Sequence, residues 1–150
     1  MAETIKDFEL LGTGGTSFRL SEHRGKTVVL YFYPKDDTPG CTLEGQEFRD
    51  LYTKFQDSNA LVAGISRDSV KSHESFKGKH VFPFPLLSDP DETVCKQFGV
   101  MKLKNMYGKQ VRGIERSTFV INAKGELARE WRGVKAPGHA AEVLAFVATL

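Results

Sequence analysis

The sequence predicts a three-layer α/β fold with a mixed central sheet and an N-terminal β-hairpin, on three observations. Uninterrupted runs of apolar, β-branched and aromatic residues at Val28–Tyr33, Leu61–Ser66 and Ser117–Ile121 have the character of strands buried on both faces. Segments with apolar residues at helical spacing separate these runs. Finally, the turn signal Asn122-Ala-Lys-Gly125 joins the last run to the strand-like Glu126–Trp131, and strands so joined pair antiparallel.

Taken in order, Phe8–Leu11 and Ser17–Leu20 flank Gly12-Thr-Gly-Gly-Thr16 and read as a short hairpin. The glycine-rich turn follows only a weak strand and lacks the P-loop lysine and the full dinucleotide spacing, so turn chemistry is preferred to phosphate binding. Val28–Tyr33 ends at Pro34 and should be a central strand. Phe48, Leu51, Tyr52 and Phe55 recur at i, i+3, i+4 and i+7, the spacing of one helical face. Ser69 can cap a helix carrying Val70, His73 and Phe76, and Asp91–Phe98 reads as a short helix closed by Gly99. Ala140, Val143, Leu144 and Val147 define a last amphipathic helix.

A chain of 150 residues is expected to fold as a single domain over its whole length, 1–150. With a formal net charge of +2 and its acids and bases interspersed, it has no basic block to track a phosphate backbone, so nucleic acid is not an expected partner. The start, Met1-Ala-Glu-Thr-Ile-Lys-Asp7, has no signal-peptide pattern, and no apolar run approaches the roughly 20 residues of a membrane span. No membrane association and a cytoplasmic location follow as expectations. His23, His73, His80 and His139 lack metal-ligand spacing, and each reads as a surface or internally satisfied residue; no metal or cofactor is expected. No self-complementary apolar patch is evident, and a monomer, at most a weak dimer, is anticipated.

The two cysteines, Cys41 and Cys95, form neither a Cys-x-x-Cys pair nor the framework of a secreted disulfide scaffold. Cys41 follows the Val28–Tyr33 strand at the start of the next helix, where α/β folds place their ligands. Thr38 suits the N-cap and Pro39 the first helical position, which puts Gly40 next and Cys41 in the first turn, facing unpaired backbone N–H groups. Gly40 would let a small ligand approach the backbone. A free thiol is only about 3% ionised at neutral pH, and converting most of it to thiolate takes about 3 kcal/mol. A helix N-terminus supplies about 0.3–1 kcal/mol, so a cation must contribute the rest. No arginine precedes Arg49 in the local sequence after Cys41, and Asp36 and Asp37 would act in the wrong direction unless they point into solvent, as expected of loop carboxylates. Position alone leaves two readings open, a reactive thiol and a small buried hydrophobe.

The segment Tyr31-Phe-Tyr-Pro-Lys-Asp-Asp-Thr-Pro-Gly-Cys-Thr42, with its Pro34-x-x-x-Thr38-x-x-Cys41 core, resembles the peroxidatic signature of peroxiredoxins of the bacterioferritin comigratory protein, or peroxiredoxin Q, subfamily. Phe84-Pro-Leu-Leu-Ser-Asp-Pro-Asp91, Lys104-Asn-Met-Tyr-Gly-Lys109 and Gly113-Ile-Glu-Arg116-Ser-Thr-Phe-Val-Ile121 extend the resemblance over nearly the whole chain. The resemblance implies a thioredoxin-like fold and a thiol-dependent peroxidase. In it Cys41 becomes a sulfenic acid, Pro34 shields it, Thr38 hydrogen-bonds the hydroperoxide, Arg116 is the distant cation, and Glu44 positions that arginine.

Two departures from the subfamily concern the second half of the cycle. A resolving cysteine often follows five residues after the peroxidatic one, where this chain has Gln46, or lies in the next helix, where it has Lys77. Cys95 is the one internal candidate left, and a disulfide would need the two Cα atoms within about 7 Å. The preferred expectation is a one-cysteine cycle in which thioredoxin, glutaredoxin or another external thiol acts as reductant. The alternative is a redox-sensing or chaperone-like protein that uses Cys41 oxidation without sustained turnover.

Overall fold

The computed structural model describes residues 3–150. Its strands are β1 (Glu9–Gly12), β2 (Ser17–Arg19), β3 (Thr27–Phe32), β4 (Ala60–Ser66), β5 (Leu86–Ser88), β6 (Met101–Met106), β7 (Lys109–Ile114), β8 (Ser117–Ile121) and β9 (Leu127–Arg132). The α-helices are α1 (Pro39–Asp57), α2 (Val70–His80), α3 (Thr93–Gln97) and α4 (His139–Val147). Seven strands form one sheet in the order β2-β1-β5-β4-β3-β8-β9, and β6 and β7 form a separate two-stranded ribbon.

The core explains why β3 reads as an unbroken apolar run. Val28, Leu30 and Phe32 enter one hydrophobic cluster while Val29, Tyr31 and Tyr33 enter the other, so both faces of the pleat are dry. β3 pairs parallel with β4 from Thr27↔Ala60 to Phe32↔Ile65, and antiparallel with β8 from Val28↔Ile121 to Phe32↔Ser117. The sheet is mixed for the expected reason, since β8 and β9 form an antiparallel hairpin. Phe48 and Phe55 of α1, Phe76 of α2 and Val143 and Val147 of α4 cover one face; Val94 and Cys95 of α3, with Phe8 and Phe18, cover the other.

The expected N-terminal hairpin is present, with β1 and β2 antiparallel and positive φ at Gly14 and Gly15 in its turn. The Ser69 hydroxyl caps α2 by accepting from the Ser72 N–H at 3.1 Å. The short third helix begins later than Asp91, at Thr93, because Glu92 takes a left-handed conformation with φ 63°. The β6–β7 ribbon carried no apolar period to announce it, since Lys102, Leu103, Asn105 and most of β7 are exposed. Its two-residue turn, Tyr107 and Gly108 with φ 52° and 79°, is of the twist-matched hairpin type. Among the described residues no helix is long and apolar enough to cross a membrane.

Candidate active site

The loop between β3 and α1 has the geometry expected of it at the backbone level. Thr38 stands at the N-cap with φ −96° and ψ 153°, Pro39 opens the helix, and Cys41 falls in the first turn. The Thr38 side chain makes no cap bond, however; its hydroxyl donates to the Lys35 carbonyl at 2.8 Å and so closes the loop on itself. Pro34 lies one residue past Tyr33 and is half-buried. Cys41 is only 1% exposed, at the edge of the cluster formed by α1, α4 and the β3 side chains Val29, Tyr31 and Tyr33.

The cation missing from the local sequence arrives from 75 residues further along the chain. Arg116 occupies the short link between β7 and β8, where its carbonyl accepts the Val134 N–H at 3.0 Å. Its Nη2 donates to Cys41 Sγ at 3.4 Å and its Nη1 to Glu44 Oε1 at 2.6 Å. The planar guanidinium is thus held at one end by a carboxylate and presents its other end to sulfur. Gly40 leaves room for this contact: a β-carbon there would lie 3.0 Å from Arg116 Nη2.

Glu44 is one turn beyond Cys41 and is fully buried, so it is not a solvated first-turn acid. Burial pushes its carboxyl up to about 7, although Arg116 pulls in the other direction by charge and by hydrogen bond. Arg116 is itself raised: desolvation opposes its charge, but Glu44 and Cys41 outweigh it. For Glu44 we take burial to dominate, because Oε1 alone is paired while Oε2 is buried without a partner.

Cys95 lies apart from this group. Its side chain packs into the cluster on the opposite face of the sheet from Cys41, completely buried. Desolvation and the neighbouring Asp89 carboxylate push its thiol well above the ordinary range, and the Asp89 side chain accepts the Cys95 backbone N–H at 2.7 Å. These are the surroundings of a packing thiol.

One expectation fails. Asp37 does point into solvent, with Lys79 Nζ at 3.1 Å, but Asp36 turns inward and is buried. It accepts hydrogen bonds from the Tyr33 and Ser72 hydroxyls, each at 2.7 Å, and faces His73 Nδ1 at 2.7 Å. The physical reason is that Tyr33 and His73, both buried, would otherwise leave polar atoms without acceptors. Asp36, Asp68 and His73 bring ligand-type atoms within 4.8 Å of one another, but the same side chains already satisfy one another and the backbone. In the sequence, an unbroken apolar strand ending in a tyrosine was the only hint that a buried acceptor would be needed.

A mixed α/β sheet with a cysteine in the first turn of the helix that follows a central strand, and an arginine on its sulfur, defines a thioredoxin-like protein built for thiol redox chemistry. The chain belongs to the AhpC/TSA family, whose model matches residues 1–130. It is 54% identical to the peroxiredoxin Bcp of Xanthomonas campestris over 93% of this chain and 87% of that one. The solved X. campestris bacterioferritin comigratory protein, described for its alkyl peroxide reduction activity, superposes with a TM-score of 0.90 at 51% identity, covering 95% of this chain and 90% of that one. A serine variant of the Xylella fastidiosa PrxQ gives 0.95 at 48% identity, over 99% and 95% of the two chains. The fold is that of the peroxiredoxins, and the protein is a peroxidase that works through cysteine.

Proposed function

We propose that Cys41 is the peroxidatic residue and that Arg116, Thr38 and Gly40 complete its site, with Glu44 positioning the arginine and Pro34 shielding the sulfur. The observation that carries this reading is the single guanidinium bridging Cys41 Sγ at 3.4 Å and Glu44 at 2.6 Å. A thiolate at Cys41 attacks one oxygen of a hydroperoxide; the S–O bond forms, the O–O bond breaks, and the leaving alkoxide or hydroxide takes a proton from solvent to become alcohol or water. Arg116 N–H groups aimed at the reacting atoms offset negative charge as it spreads onto the departing oxygen. The Thr38 hydroxyl, which donates to the Lys35 carbonyl, exchanges that bond for one to the peroxide. Hydrogen peroxide and organic hydroperoxides both fit this chemistry.

The sulfenic acid at Cys41 is resolved by a thiol from another molecule, such as thioredoxin, glutaredoxin or a small thiol. Supporting this, Cys95 is sequestered on the other face of the sheet, and Gln46 and Lys77 stand at the two positions where the family resemblance would place a second cysteine. The protein acts as a single 1–150 domain in the cytoplasm. The test is Cys41→Ser: it should abolish peroxide consumption with thioredoxin or dithiothreitol supplied, and wild type given one equivalent of peroxide should trap a sulfenic-acid reagent at Cys41. Wild-type turnover by the serine variant would overturn the assignment, and a Cys41–Cys95 disulfide in the mass spectrum would overturn the one-cysteine cycle. A sensor without turnover would stop after one equivalent.

A further inference from the structure

The two adjacent acids of the active-site loop tie it to α2 in different ways. Asp37 holds Lys79 at the surface, an exposed pair of little energetic consequence. Asp36 is the centre of a buried network: Oδ1 accepts from Tyr33, while Oδ2 accepts from Ser72 and faces His73 Nδ1. The other ring nitrogen of His73, Nε2, lies 2.9 Å from the Leu87 carbonyl, which can only accept. The ring is therefore oriented by β5 on one side and presents Nδ1 to Asp36 on the other. The Asp36 backbone N–H donates to Asp68 Oδ2 at 2.9 Å, and that oxygen also accepts from Ser66 at 2.6 Å. The loop that leads to Cys41 is thereby fastened, through buried and part-buried bonds, to the end of β4 and the first turns of α2.

The consequence concerns access to sulfur. At 1% exposure Cys41 can meet a small peroxide but not the in-line approach of a thiol carried on a larger molecule. Resolution requires that thiolate to attack the sulfenic sulfur, forming the S–S bond as the S–O bond breaks and hydroxide departs as water with a proton. The start of α1 and its preceding loop must move outward first, which means releasing what fastens them.

We propose that Asp36 and His73, joined by Ser72 and Tyr33, are positioning residues that form a latch: they hold the Cys41 loop closed for peroxide and set how readily it opens for the reducing thiol. The idea rests on the reading of Cys41 as the oxidised sulfur. Losing the latch should move two rates in opposite directions, slowing peroxide oxidation while quickening attack by a bulky thiol reagent. A general loss of stability would expose Cys95 along with Cys41.

The experiment uses the full chain as wild type, Asp36→Asn, His73→Gln and Ser72→Ala. Peroxide oxidation is followed by rapid mixing, and labelling of the reduced protein by Ellman's reagent is resolved by site with mass spectrometry. Cys95 is the internal control, since its buried position reports global opening. Asp36→Asn aims an amide donor at hydrogen-bond donors and should slow oxidation at least tenfold while raising Cys41 labelling at least tenfold relative to Cys95. Ser72→Ala, which removes one bond, should give the same pattern at about threefold and serves if the Asp36 variant does not fold. The latch is refuted if Cys41 and Cys95 labelling rise together, or if neither rate changes in either variant. Activity retained in Cys41→Ser would instead refute the underlying assignment, whatever the labelling shows.

Discussion

Glu44→Gln isolates the electrostatic balance at the site. The Glu44 carboxyl ordinarily titrates at 4.5, and burial raises it to about 7 in the folded protein. Below pH 4.5 the group is neutral whether the chain is folded or not. Between pH 4.5 and 7 the unfolded chain releases this proton while the folded one retains it, so stability falls as pH rises; above 7 both states are ionised and the loss is complete. At about 1.4 kcal/mol per pH unit, the wild type sheds on the order of 3 kcal/mol across that window through this one group. Glu44 is 0% exposed, so solvent screening does not dilute the effect. Glutamine does not titrate, and the stability of the variant relative to wild type should therefore climb by on the order of 3 kcal/mol between pH 4.5 and about 7.5. Urea denaturation at several pH values reads this directly. A flat difference, or a wild type that gains on the variant as pH rises, would mean that the bond to Arg116 outweighs burial and that Glu44 is ionised throughout.

Three further expectations follow from the same geometry. Arg116→Lys keeps the charge but cannot reach Glu44 and Cys41 with two ends of one plane, so the rate of Cys41 oxidation, read by stopped flow, should fall about 10²-fold. Gly40→Ala places a methyl 3.0 Å from Arg116 Nη2 and should slow oxidation about tenfold, while thermal melting stays level or rises because alanine favours the helix. Cys95→Ala should cost about 1 kcal/mol in chemical denaturation, as a small core truncation does, and leave steady-state turnover with an external thiol unchanged.

The fold class was legible because its strongest signals are local and periodic. Val28–Tyr33 alternates between two buried faces, and α1 and α4 each carry one apolar stripe, so burial dictates both period and pairing. The placement of Cys41 was legible too, since Pro39 and the extended N-cap at Thr38 are backbone preferences of the residues themselves. The β6–β7 ribbon escaped because an exposed ribbon has no buried face to impose a pattern. Asp36 was misjudged for a related reason: composition says where carboxylates usually go, but not that Tyr33 and His73 would both be buried and aimed at the same point.

By itself, then, the sequence determined the helix start that presents Cys41 and the buried strand that leads to it, because propensity and periodicity act over a few residues. Family resemblance, rather than physics, singled out Arg116. Only the tertiary structure decided that this guanidinium lies 3.4 Å from the sulfur, that Glu44 beneath it is buried, and that Cys95 is on the far side of the sheet. Those are facts about residues far apart in the chain, and contacts of that kind are set by how layers pack.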